Sequence, residues 1–156
     1  MQRLPDHPAA ILLVEDDPAE VRLLQEVFEA VPVRTRLEVA HDGREALAVL
    51  RQAAPYEHAP RPALILLSLK LPGMSGQQLL AELKRDPALR PIPALVFTNS
   101  QSPQDIRQSY ELGANAYLLR PFEFTHLVEK VHVMAVYWLQ VVTLAPPLPH
   151  AAAESA

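Results

Sequence analysis

Glu15 and Asp16, two adjacent acids, end the first apolar run of this chain, and chemically able residues follow three later runs in the same way. Ser68 follows residues 63–67, Thr98 follows residues 94–97 and Arg120 follows residues 116–119. A pair of carboxylates suits a hard cation such as magnesium, which takes one or two carboxylates and keeps several waters, and it repels the phosphates of a nucleotide or flavin. On their own, Glu15, Asp16 and Asp17 read equally well as a charged loop with a helix cap. The hydroxyl of Thr98 and the cation of Arg120 add weight, because each stands just past its own run. Ser68 is the weak member. A carboxylate, with a reference pKa of about 3.9 for aspartate, is ionised at neutral pH and is a nucleophile as it stands. A serine hydroxyl needs a neighbouring base, and the flanking Leu67, Leu69 and Lys70 provide none. Nor does a glycine lie two residues to either side of Ser68, as the nucleophile elbow of a hydrolase demands.

The elements that position these residues alternate. Residues 9–14 form a continuous apolar run that stops at Glu15-Asp16-Asp17-Pro18, the pattern of a strand buried on both faces. Asp17 and Pro18 then read as cap and first residue of a helix with Val21, Leu24, Val27 and Phe28 on one face, ended by Pro32. Further strands are expected over 36–40, 63–67, 94–97 and 116–119. Helices are expected from Asp42, over 77–84, from Ser102-Pro103, and from beyond Pro121 to about Leu144; Gly113 supplies a left-handed stop. Five strands alternating with five helices predict an α/β fold, a doubly wound parallel sheet covered on both faces. Ligands of such sheets bind outside the carboxyl ends of the strands, where Glu15, Asp16, Ser68, Thr98 and Arg120 fall. The expected organisation is an N-terminal arm over 1–8, one domain over 9–144, and a Pro/Ala-rich tail over 145–156.

Composition removes several function classes. The 156 residues hold no cysteine, which excludes disulfide scaffolds, cysteine-based zinc and iron–sulfur sites and thiol catalysis. The net charge of -4 and a sequence pI near 5.8, with no basic run, leave no electrostatic footprint for nucleic acid. The apolar stretch from Val133 is broken by Gln140 and Thr143 and ends at Pro146, short of the ~20 residues of a membrane span. With no signal core at the start, a cytoplasmic protein is expected. His126 and His132 stand six apart and show no metal-ligand spacing. Sixteen prolines against four glycines act as punctuation at the starts and ends of helices and in the connections.

Four blocks, Ile11-Leu12-Leu13-Val14-Glu15-Asp16-Asp17-Pro18, Leu71-Pro72-Gly73-Met74-Ser75-Gly76, Val96-Phe97-Thr98 and Gly113 through Phe122, resemble the receiver domain of bacterial response regulators. The resemblance covers about residues 9 to 144. It implies the flavodoxin-like five-stranded fold and a part in two-component phosphorelay signalling, in which a sensor histidine kinase phosphorylates an aspartate. It also implies that Glu15 and Asp16 match the magnesium-binding acids, Thr98 the hydroxyl that engages the phosphoryl group, and Tyr117 an aromatic switch. Two positions depart from the pattern: Ser68 stands where the phosphoacceptor aspartate belongs, and Arg120 where the invariant lysine belongs. Losing one of three anionic ligands predicts weak or absent magnesium binding, with no other cofactor expected. The planar fork of Arg120 suits a carboxylate, so it is expected to pair with Asp16 or Glu15 and to occupy the site. The resemblance also implies a cis bond before Pro121.

The last helix carries one apolar stripe, Leu127, Val131, Met134, Ala135, Trp138 and Val142, sufficient to dock it on the sheet. A second stripe, Val133, Val136, Tyr137, Val141 and Leu144, has no further domain to cover it and is expected to form a homodimer interface. The alternative cover is the chain's own tail, folding back from Leu144 to Pro149. Tyr137-Trp138-Leu139 followed by an apolar stretch and a proline is similar to the C-terminal extension of phytochrome-associated response regulators, single-domain receivers that dimerise through their last strand and helix. This implies a sensor histidine kinase, of bacteriophytochrome type, as partner. The expected function is a non-enzymatic, dimeric interaction module with a degenerate phosphorylation site. The alternative is a phosphorelay regulator that still accepts a phosphoryl group, at Ser68 or at another residue such as Asp17. A flavodoxin-like cofactor binder is disfavoured by the acids of the first loop.

Overall fold

The computed structural model describes residues 7–147; the expected arm and tail fall mostly outside them. Five strands, β1 (Ala9–Val14), β2 (Thr35–Ala40), β3 (Leu64–Leu67), β4 (Ala94–Thr98) and β5 (Ala116–Leu119), alternate with α1 (Pro18–Ala30), α2 (Gly43–Leu50), α3 (Gly76–Arg85), α4 (Pro103–Glu111) and α5 (Phe124–Val136). All neighbouring strands pair in parallel, in the order β2-β1-β3-β4-β5. The order reverses beside β1, which opens a crevice at the carboxyl ends of β1 and β3.

Alternation along the strands feeds two cores. Leu12, Val14, Ile65, Leu67, Ala94 and Val96 face Leu47 and Val49 of α2 and Leu79, Leu80 and Leu83 of α3. Ile11, Leu13, Leu64, Leu66, Leu95 and Phe97 face Leu24, Val27 and Phe28 of α1 and Leu127, Val131 and Met134 of α5. Burial on both faces explains why β3 reads Leu-Ile-Leu-Leu without a polar residue. The central register pairs Val14 with Leu67 and Leu67 with Val96, so Glu15 and Ser68 emerge side by side.

The caps are local. Asp17 accepts from the Ala19 amide, Asp42 from Glu45, and Ser102 from Asp105. A reciprocal capping box between Ser75 and Gln78 starts α3 one residue earlier than periodicity predicts. Gly76 sits so close beneath β3 that an added Cβ would meet the Ser68 carbonyl oxygen at 2.3 Å. Gly113 adopts φ 102°, the expected left-handed stop.

The last helix departs from expectation. It is α-helical only to Val136 and continues as a π-helical turn over Tyr137–Val141. The wider turn lets the adjacent Trp138 and Leu139 both pack on the α1–α5 core. Val136 also packs there, and Leu144 lines a cleft of about 410 Å³ with Ala9, Ala10, Pro93 and Pro147 beneath the amino ends of the strands. The second stripe therefore splits. Val133, Tyr137 and Val141 remain 69%, 52% and 65% exposed, whereas Val136, against the core, and Leu144 are half-buried. Pro149 lies outside the described residues. Among those residues no helix is long and apolar enough to cross a membrane.

Candidate functional site

The loops after β1, β3, β4 and β5 meet at one end of the sheet, and they divide the two adjacent acids. Glu15 turns inward and is 5% exposed. Its Oε2 accepts from the Ser68 hydroxyl, and its Oε1 accepts from the Asp17 amide at 3.3 Å. Asp16 turns outward into a groove of about 740 Å³, which it lines with Lys70, Thr98, Ser100 and Asp105. Asp17 is committed to capping α1, its Oδ1 accepting from the Ala19 amide at 2.9 Å. The chain neighbours of Ser68 include no base, and the residue against its hydroxyl is Glu15, 53 positions away.

Arg120 closes the crevice, with a partner that differs from the expected ones. Its Nη1 donates to Glu20 Oε2 at 2.6 Å, and its Nη2 lies 3.8 Å from Glu15 Oε2. Glu15 is therefore the secondary partner, and Asp16 makes no ion pair with Arg120. The reason is the frame of α1. With Asp17 as cap and Pro18 as first residue, Glu20 takes the third helical position, whose side chain reaches back over the helix start. That frame was readable in the sequence and is the signal that could have found Glu20. The guanidinium also lies 5.1 Å from the centroid of the Phe97 ring, and its Nη2 is 3.5 Å from the Phe97 carbonyl. Its Nε is buried with no hydrogen-bond partner. The Arg120–Pro121 peptide is trans, contrary to expectation, since the one cis bond among the described residues precedes Pro55.

Thr98 and Tyr117 sit beside this cluster and are joined through Ser100. Thr98 Oγ1 accepts from the Ser100 amide at 3.2 Å, and the Tyr117 hydroxyl donates to the Ser100 carbonyl at 2.8 Å. Ser100 Oγ donates to Asp105 at 2.6 Å, which ties the loop to the first turn of α4. Burial raises the Tyr117 phenol above its usual pKa, and the charge of Asp105 adds to the rise. Tyr110 completes the group by accepting from the Tyr117 amide at 3.1 Å. Neither Ser100 nor Tyr110 carried a signal in sequence, because both act through neighbours fixed by the β4–β5 pairing.

Residues 11–132 match the response regulator receiver domain. The chain belongs to this family. The receiver is 43% identical over 137 residues to response regulator Rcp1 of Synechocystis sp., an alignment covering 88% of this chain and 93% of that protein. It superposes on the crystal structure of the phosphorylated cyanobacterial phytochrome response regulator RcpA with a TM-score of 0.83, at 40% identity, covering 89% of this chain and 99% of that one. On the Mn(2+)-bound form of Rcp1 the TM-score is 0.80, at 42% identity, with 89% and 100% covered. Both relatives are response regulators, RcpA that of a cyanobacterial phytochrome, and the fold is the flavodoxin-like one the sequence predicts.

Proposed function

We propose that this receiver is a two-component signalling protein whose phosphorylation site has become a set of internal contacts, and that it works as a dimeric interaction module, not as a phosphoryl relay. The observation that carries this reading is the seat of Arg120. Its guanidinium pairs with Glu20 at 2.6 Å and stands 3.8 Å from Glu15, so a fixed positive charge already neutralises the inner acids. These residues do not fit magnesium. Glu15 is engaged by Ser68, the Asp17 amide and Arg120, which leaves Asp16 as a single outward carboxylate; among the described residues no three acid or histidine side chains converge. A hard, strongly hydrated cation gains little at one exposed carboxylate.

The dimer reading rests on Val133, Tyr137 and Val141, exposed at intervals of four residues along the last helix. Beside them runs an apolar cleft of about 890 Å³ lined by Leu118, Pro121, Met134 and Trp138. It borders β5, the edge strand of the sheet. The proposed partner is a sensor histidine kinase of the phytochrome class in the cytoplasm, by likeness to the regulators above; the receiver itself is not an enzyme.

Calorimetric titration is expected to show no magnesium binding in the low millimolar range. Incubation with acetyl phosphate and magnesium is expected to leave no hydroxylamine-labile phosphoryl adduct. Such an adduct on any aspartate, Asp17 included, would overturn the loss of the relay. Light scattering is expected to give twice the chain mass, and a monomer at all concentrations would remove the dimer.

A further inference from the structure

The two edges of the sheet are finished differently. On β5 the outward backbone groups are taken by side chains: the Tyr117 amide donates to the Tyr110 hydroxyl at 3.1 Å, and Lys130 Nζ donates to the Leu119 carbonyl at 2.7 Å. Covers of this kind stop a further strand from adding. β2, the opposite edge, is six residues long. The Arg34 and Ala40 carbonyls accept from the amides of Ala9 and Glu15, so the even-numbered residues of β2 bond inward to β1, and Thr35, Leu37 and Val39 turn their backbone groups outward. Among the described residues no hydrogen bond covers those outward groups. Beside Thr35 and Leu37, a groove of about 570 Å³ runs along the end of α1, with Phe28 and Val33 in its wall. On the other face of the strand Arg36 and Glu38 pair with each other at 2.6 Å.

We propose that β2 pairs with β2 of a second copy, antiparallel about a two-fold axis at Leu37, so that the two sheets become one. In this register Thr35 lies opposite the second copy's Val39 and Leu37 opposite its own counterpart, and each outward amide and carbonyl of the three residues gains a partner. The second copy's Val39 then faces the groove beside Thr35. The charges select the register. Arg36 stands across from Glu38 and Glu38 across from Arg36, whereas a slip of two residues sets Arg36 against Arg36 or Glu38 against Glu38. A slip of one residue turns the backbone groups of one copy away from the other. The exposed stripe of the last helix lies beside β5, at the far end of the strand order, so the two contacts do not compete and this one does not rest on the other. The strip is short and charged, and it closes at a higher concentration than an apolar helix face.

The chain has no cysteine, so introduced thiols report the register. Leu37→Cys sets two Cα atoms about 5.5 Å apart across the axis, within the span of a disulfide. In Thr35→Cys the two thiols stand about 13 Å apart along the strands, out of reach. The full chain is oxidised with copper–phenanthroline from micromolar to millimolar concentration, and covalent dimer is read by mass. Leu37→Cys and the double variant Thr35→Cys with Val39→Cys are expected to cross-link, and Thr35→Cys alone at least about tenfold more slowly. Adding Glu38→Lys to Leu37→Cys places like charges across the axis and is expected to slow the reaction about tenfold; adding Arg36→Glu as well exchanges the two signs and restores it. Circular dichroism establishes that each variant is folded, and should Leu37→Cys not fold, the Thr35 and Val39 pair carries the test. No cross-link in a folded variant expected to form one, equal rates in Leu37→Cys and Thr35→Cys, or a rate indifferent to the charges overturns the proposal.

Discussion

Replacing Arg120 by methionine removes the guanidinium while keeping a chain of similar length against Phe97. The charge-assisted bond to Glu20 is worth about 1.5–3 kcal/mol in general. Glu20 is 33% exposed and Arg120 15%, so water screening places this pair at the lower end, about 1.5 kcal/mol. The stack on Phe97 adds about 0.5–1 kcal/mol. Glu15, 5% exposed, then keeps its charge without the cation 3.8 Å away, which costs about 1–2 kcal/mol more. Against this, the variant no longer buries the partnerless Nε, a relief of about 1 kcal/mol. The net expectation is a loss of about 2–3.5 kcal/mol, or a Tm lower by about 4–14 °C in a domain of this size. Urea unfolding followed by Trp138 fluorescence measures it, in a cycle of Arg120→Met, Glu20→Gln and the double variant. A coupling of about 1–1.5 kcal/mol between the two positions is expected. Additivity within about 0.5 kcal/mol would refute the assignment of Glu20 as the principal partner of Arg120.

Four further outcomes follow from the same geometry. The double variant Ser68→Asp with Arg120→Lys restores a third carboxylate and frees Glu15, so calorimetry should show millimolar magnesium binding and acetyl phosphate should yield a hydroxylamine-labile adduct. Val133→Asp places a charge on the exposed stripe and should weaken the proposed dimer by at least about tenfold in dissociation constant, read by analytical ultracentrifugation, since burying one valine contributes about 1.5–3 kcal/mol. Gly76→Ala forces a Cβ to within 2.3 Å of the Ser68 carbonyl oxygen and should cost about 2 kcal/mol or more, visible as a lowered urea midpoint. The folded-state pKa of Tyr117 is raised above its usual 10.0, so its contribution is complete below pH 10 and is lost as pH climbs through the folded value. Tyr117→Phe should therefore be less stable by about 1 kcal/mol near neutrality, with the gap to the native chain narrowing in alkali.

Five strands, five helices and their order were legible because each depends on residues close together in the chain. Apolar runs of four to six residues, proline at the first helical position of α1 and α4, Asp17, Asp42 and Ser102 as caps, and Gly113 as a left-handed stop are local signals with local causes. The start of α3 was one residue off because Ser75 and Gln78 satisfy each other reciprocally, a device that periodicity does not report. The strand ends also placed Glu15, Asp16, Ser68, Thr98 and Arg120 at one crevice, since a parallel sheet carries all its carboxyl ends to the same side.

Which of these residues touch was a matter for the tertiary structure. Arg120 had a row of acids within reach after β1, all of one charge, and the first turn of α1 selected Glu20, 100 positions away in the chain. The β1–β3 register set Glu15 against Ser68 and sent Asp16 outward, a choice of face that a shift of one residue would reverse. At the other end, a π-helical turn rotated the close of the last helix and split one apolar stripe into buried and exposed parts. Sequence by itself determined the scaffold and the absence of an acceptor carboxylate at position 68, because composition and short-range pattern suffice for both. Pairing within the site depends on register and on the angle at which α1 leaves the sheet, and those exist only once the two cores have packed.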